Sequence, residues 1–146
     1  MKALLQRVIH ASVSVDGSVV GEIGAGLLVL LGLDRDDDRP DADRMLQRIL
    51  GYRVFADESG RMNRSVADID AGVLLVPQFT LSADTGSGMR PGFSGAMPPA
   101  EAQQLYRYTL DALEQRHRVV AAGVFGAHMQ VSLTNDGPVT FLLQSG

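Results

Sequence analysis

Two short stretches of this chain offer backbone chemistry that an ordinary strand does not. In "PQFTL", residues 77 to 81, a proline removes a ladder donor beside Gln78 and Thr80, whose amide and hydroxyl can both hydrogen-bond a polar reactant. In "NDGPVT", residues 135 to 140, Gly137 permits a φ that other residues avoid and Pro138 removes another donor. Interrupted strands expose N–H and C=O groups, and such groups can grip a polar substrate or stabilise negative charge as it develops. Each stretch also has a plain structural reading. "PQFTL" fits an edge strand, where Pro is tolerated and Thr80 is a good β-former, and "NDGPVT" fits a four-residue hairpin connection.

The other familiar constellations are absent from the sequence. It holds no P-loop, no GxGxxG after a strand, no HExxH and no GxSxG. His10, His117 and His128 lack metal-ligand spacing, and the absence of cysteine removes disulfides, thiolate metal sites and thiol nucleophiles. Neither a metal nor a cofactor is expected.

The elements that must hold these stretches follow from periodicity. With 146 residues, 45% of them hydrophobic and 21% charged, the chain suits one domain spanning 1–146 that buries its own core. Residues 4 to 15 and "SVVGEI" flank Asp16-Gly17, a strong hairpin signal. "AGLLVLLGL", residues 25 to 33, is a continuous apolar run whose length predicts a strand buried on both faces. After an acidic loop, Asp41 is placed to cap a helix with Met45, Leu46, Ile49 and Leu50 on one face.

"ADESGRMNRS", residues 56 to 65, reads as turn, and "VLLVPQFTL", residues 73 to 81, as a further strand. Ser82 to Pro99 forms a long Gly- and Pro-rich loop of the kind a compact domain keeps for function. Pro98 and Pro99 then open a second helix with Leu105, Tyr106, Thr109, Leu110 and Leu113 on one face, and the remainder returns to strand character. The expected fold class is α/β: one domain with a mixed, largely antiparallel sheet and two main helices, without the βαβα rhythm of a doubly wound fold.

A formal net charge of −4 argues against broad, field-driven nucleic-acid binding while leaving room for local contact with a strand end. The opening "MKALLQRVIHASVSVDG" is broken by Gln6, Arg7 and His10, so it reads as neither signal peptide nor membrane span. A cytoplasmic location with no membrane partner is expected.

"MKALLQRVIHASVSVDGSVVGEIGAGLLVLLGL", "LGYRVFADESGRMN", "QFTLSADTGSGMRPGF" and "GVFGAHMQVSLTNDGPVT" together resemble the D-aminoacyl-tRNA deacylase family over nearly the whole chain. The diagnostic motifs stand as "PQFT" at 77 to 80 and "GPVT" at 137 to 140. The resemblance implies an enzyme that hydrolyses the ester of D-aminoacyl-tRNA and acts on the tRNA 3′ end. It also implies a homodimer with its sheets joined between subunits and two sites at the interface. Gln78, Phe79 and Thr80 would be the catalytic residues. Gly137 and Pro138, joined by a cis peptide and reaching in from the partner, would exclude L substrates, with Phe125 and Met129 on the substrate-binding side. Glycyl-tRNA, having no side chain to reject, would leak through.

The chain departs from the family pattern at three places. Pro77 stands where Ser is usual, His128 where an acid usually follows "FGA", and Gly92 where "RPSF" is commoner. The serine hydroxyl and one strand N–H are therefore missing, and His128 reads as a surface change. A non-catalytic dimeric module binding aminoacyl-tRNA ends or adenine nucleotides, and a general small-ester hydrolase, are the alternatives at this level.

Overall fold

A computed structural model describes residues 1–145. Eight strands and two long helices form one α/β layer structure. The first strand, β1 (Lys2–Val15), is the organising element because it pairs on both edges. On one side it is antiparallel to β3 (Gly26–Gly32) along its first half and to β2 (Ser18–Ile23) along its second. On the other it pairs antiparallel with β8 (Gln130–Gln144) over nearly its full length. β6 (Gly72–Pro77) runs parallel to β3, and β7 (Val120–Ala122) parallel to β6. The sheet is thus mixed, as expected from the sequence. It also curls: the backbone of Gly21 in β2 lies so near β7 that an added Cβ would sit 2.6 Å from the Ala122 carbonyl oxygen.

The two faces of the curled sheet explain the unbroken apolar run in β3. Leu27, Val29 and Leu31 join Leu5, Leu75 and Leu143 under the helices, where Met45, Leu46, Ile49 and Leu113 complete the larger core. Leu28 points to the opposite face, packed with Val8, Val13, Ile23, Leu74 and Val76. Each fully buried Leu or Ile contributes about 1.5–3 kcal/mol relative to exposure. A strand buried on both faces therefore holds β6, and the turn that follows it, firmly in place.

Helix α1 (Arg39–Gly51) starts earlier than its sequence suggests. Asp38, not Asp41, is the N-cap: its carboxylate accepts from the Asp41 N–H at 3.0 Å, and Asp41 accepts in return from the Asp38 N–H at 3.0 Å. That backbone hydrogen bond from Asp38 is the main reason the Asp41 carboxyl titrates below its ordinary range. Pro40 fits because first-turn N–H groups have no intrahelical acceptor. Helix α2 (Pro99–Arg116) begins where the two prolines place it. The turn-like region also holds a small hairpin, β4 (Phe55–Ala56) with β5 (Met62–Arg64).

Among the described residues, no helix is long and apolar enough to cross a membrane.

Candidate active site

The strand expected across residues 73 to 81 stops at Pro77. Gln78 donates its N–H to the Leu31 carbonyl at 2.7 Å, which anchors the strand end, and Phe79–Ser82 then winds into a single 3-10 turn. The cause is partly local and partly tertiary: Pro77 cannot continue the ladder, and β7, distant in sequence, has already ended beside it. Leu81 donates back to the Gln78 carbonyl and Ala83 to that of Thr80, at 3.2 Å each. The Phe79 and Thr80 amides, first in the turn, have no carbonyl inside it to receive them. The unpaired donors expected of an open strand are thus supplied by a turn.

Within that turn the Gln78 side-chain amide donates to the Thr80 hydroxyl oxygen. A hydroxyl that accepts in this way keeps its own proton free to donate outward. No histidine bonds to Thr80, so nothing adjacent is positioned to withdraw that proton and make the oxygen a strong nucleophile.

Beside the turn opens a cleft of about 760 Å³ lined by Gln78, Phe79, Phe125 and Met129, with Phe93, Met97, Pro98 and Arg35 on the facing wall. Phe79 is 62% exposed and meets Phe93, 40% exposed, at a centroid distance of 5.3 Å, so two tilted rings stand at its rim. Backbone bonds fasten the facing wall. Arg35 N–H donates to the Gly95 carbonyl at 2.9 Å, Met97 N–H to Leu33 at 3.0 Å, and the Arg35 side chain to Ser94 at 2.8 Å. The long loop is drawn over the cleft by these contacts, and the paired backbones of Asp84 and Gly92 close its outer end. His128, read from sequence as a surface change, is exposed but lies on the lining of this cleft.

Gly137 and Pro138 are elsewhere. They form neither a hairpin nor part of the cleft lining; β8 continues through them as one strand with a bulge opposite β1. Gln6 faces Thr140 and Val8 faces Asn135, so Asp136 to Val139 are pushed out of register. The bulge is clamped at its base. Asn135 donates to the carbonyls of Arg7 and Val139, both at 2.9 Å, while Arg7 donates through Nε to the Asp136 carbonyl at 3.1 Å and through Nη1 to the Val54 carbonyl at 2.6 Å. The Gly137–Pro138 bond is cis, Gly137 has φ +132, and both residues are exposed.

The structure therefore brings Gln78, Phe79, Phe125 and Met129 together on the cleft lining, keeps Thr80 next to them through its bond to Gln78 but off that lining, and leaves Gly137 and Pro138 apart. Sequence reasoning missed Arg7, Asn135, Arg35 and Phe93. For Asn135 the neighbouring Gly-Pro was a usable signal; for Arg7 and Arg35 nothing in their spacing points to the partners they find.

Among the described residues no group of three His, Asp or Glu side chains converges to hold a metal ion. An apolar cleft beside a turn that carries an exposed hydroxyl and unpaired amides defines a class of α/β domain suited to ester hydrolysis without a Ser-His-Asp triad. The profile of the D-Tyr-tRNA(Tyr) deacylase family matches residues 4–144, and the chain belongs to that family of hydrolases.

A D-aminoacyl-tRNA deacylase of Stutzerimonas stutzeri is 59% identical over 145 residues, covering 99% of this chain and 100% of the relative. A solved structure described as a c-Myc DNA unwinding element binding protein is 43% identical, with a TM-score of 0.96 over 100% of this chain and 99% of that one. A probable eukaryotic D-amino acid tRNA deacylase shares the fold at 17% identity, with a TM-score of 0.81 over 97% of both chains.

Proposed function

We propose that this protein hydrolyses the ester between a D-amino acid and the 3′-terminal ribose of tRNA, releasing the free D-amino acid and tRNA. The observation that carries the reading is the gathering of Gln78, Phe79, Phe125 and Met129 around one cleft, with Thr80 bonded to the Gln78 side chain in the adjoining turn. The apolar cleft and its aromatic rim suit the terminal nucleoside. A net charge of −4 gives no broad attraction for duplex, which confines nucleic-acid contact to an end that enters the cleft.

Water attacks the ester carbonyl, the carbonyl oxygen gains negative charge, and the Phe79 and Thr80 amides are the donors nearest to meet it. Collapse breaks the bond to the ribose 3′-oxygen, which takes up the proton that the attacking water gives up. Thr80 acts as a positioner, its free hydroxyl proton directed to substrate or water, and the ribose 2′-hydroxyl assists.

Gly137 and Pro138 complete the site of a second copy. They project from an outward bulge and lie outside their own cleft, so a homodimer is the arrangement that lets them act on substrate. Main chain set against the α-carbon leaves a D side chain free and collides with an L one, and achiral glycine passes. Function in the cytoplasm accompanies this substrate.

Purified protein should release D-Tyr from D-Tyr-tRNA and spare L-Tyr-tRNA. Retention of tRNA without turnover would make it a binder, and hydrolysis of simple esters with no need for a nucleotide would make it a general esterase. Light scattering should give a dimer; an active monomer would defeat the shared site.

A further inference from the structure

We propose that the buried hydroxyl of Tyr106 is a positioning group for the cleft wall: it gives the Gly123 carbonyl the hydrogen bond that Pro77 cannot give. Its activity readout rests on the ester-hydrolase reading above; its structural readout does not.

The register of the sheet identifies the missing bond. In β6 the odd residues face β7, and in this parallel pairing each donates to the carbonyl before its partner: Val73 pairs with Val120 and donates to Val119 at 2.9 Å. In return Gly123 N–H donates to the Leu75 carbonyl at 2.8 Å. Two residues further along, the same pattern directs the amide of residue 77 at the carbonyl of Gly123. Proline has no such amide. The geometry agrees, because a Cβ built on Gly123 would lie 3.5 Å from Pro77 Cδ, the atom that occupies the place of the lost hydrogen.

Tyr106 fills the gap from the helix side. Its hydroxyl lies 3.3 Å from the Gly123 carbonyl oxygen and 3.3 Å from that of Leu75, and donates between them. Leu75 already receives the Gly123 N–H, whereas Gly123 has no strand donor facing it. Tyr106 is 5% exposed, and burial, with a lesser push from Glu114, raises its titration well above the ordinary range, so the phenol stays protonated and remains a donor.

What the bond holds is the wall itself. Gly123 begins the segment that carries Phe125 and Met129 into the cleft. Tyr106 also meets Phe125 at a ring-centroid distance of 6.0 Å, and a Cβ on Gly123 would come within 2.7 Å of Met129 Sδ. A part-buried carbonyl left unpaired at the root of this segment would loosen both.

The test is a double-mutant cycle with Pro77→Ala, which restores the amide. In the natural background Tyr106→Phe should raise KM for D-Tyr-tRNA about tenfold with kcat within about twofold, and speed amide hydrogen exchange across residues 123–129. With Pro77→Ala present, the same Tyr106→Phe change should cost less than about twofold in KM and leave exchange in 123–129 unaltered. Equal losses in the two backgrounds, or no change in either, overturn the proposal. A Tyr106→Phe chain that folds only together with Pro77→Ala supports it, and one that folds in neither background counts against it. If the unmodified protein does not hydrolyse D-Tyr-tRNA, the substrate reading fails, while the exchange cycle still decides the role of Tyr106.

Discussion

The turn after β6 and the bulge in β8 both interrupt a strand at a proline, yet they end in opposite situations. At Pro77 the neighbouring strand β7 has already stopped, so the chain leaves the sheet and winds into a 3-10 turn beside a concave, apolar cleft. At Pro138 the neighbour β1 continues, so β8 must return to it. The surplus residues are expelled as an exposed bulge clamped by Arg7 and Asn135. The same residue type therefore yields a pocket edge in one place and a projection in the other. What decides is whether a partner strand remains on the far side of the break.

The sharpest way to break this comparison is Gly137→Ala. At φ +132 the new methyl would lie 2.7 Å from Val139 Cγ2 and 3.1 Å from an Arg7 guanidinium nitrogen. The strained conformation costs about 1–3 kcal/mol, and the bulge must shift to relieve it. Deacylation of D-Tyr-tRNA should fall by roughly a hundredfold in kcat/KM, while binding of adenosine to the cleft, followed calorimetrically, stays within about twofold. Weakened adenosine binding would show that the bulge and the cleft of one chain are not separate units.

Thr80→Ala tests the turn and comes next. Loss of the hydroxyl should lower kcat about ten- to a hundredfold with KM little changed, and Thr80→Ser should recover most of the rate. An unchanged kcat would leave the backbone amides as the turn's whole contribution. Phe79→Ala removes one ring of the exposed pair with Phe93 and should raise KM about tenfold, since stacking of a base on an aromatic is worth about 1–3 kcal/mol. The smallest expected effect is from exhaustive chelation with EDTA, which should leave turnover unchanged, because the chain has no cysteine and its three histidines are scattered. Restoration of lost activity by one divalent ion would contradict it.

Local rules carried the sequence a long way. The Asp16-Gly17 hairpin, the doubly buried run of β3, the α2 start at Pro98-Pro99 and the oddity of both proline stretches all follow from nearest-neighbour preferences. Resemblance pointed to Gln78, Phe79, Phe125 and Met129, which the fold gathers on one cleft. The cap of α1 slipped from Asp41 to Asp38 because two aspartates three apart can exchange roles in one capping box, and local sequence does not order them.

Tertiary structure decided the rest. "VLLVPQFTL" has the composition of one strand, and only the early end of β7, far along the chain, turns its second half into a 3-10 turn. "NDGPVT" reads as a hairpin until β1 is seen to continue past it. Arg7 becomes a clamp only when β1 lies against β8, a pairing between residues more than a hundred positions apart. Local preference fixes what a segment can do alone, and a break in a strand is an event of pairing, so its outcome belongs to the neighbour that folding brings alongside.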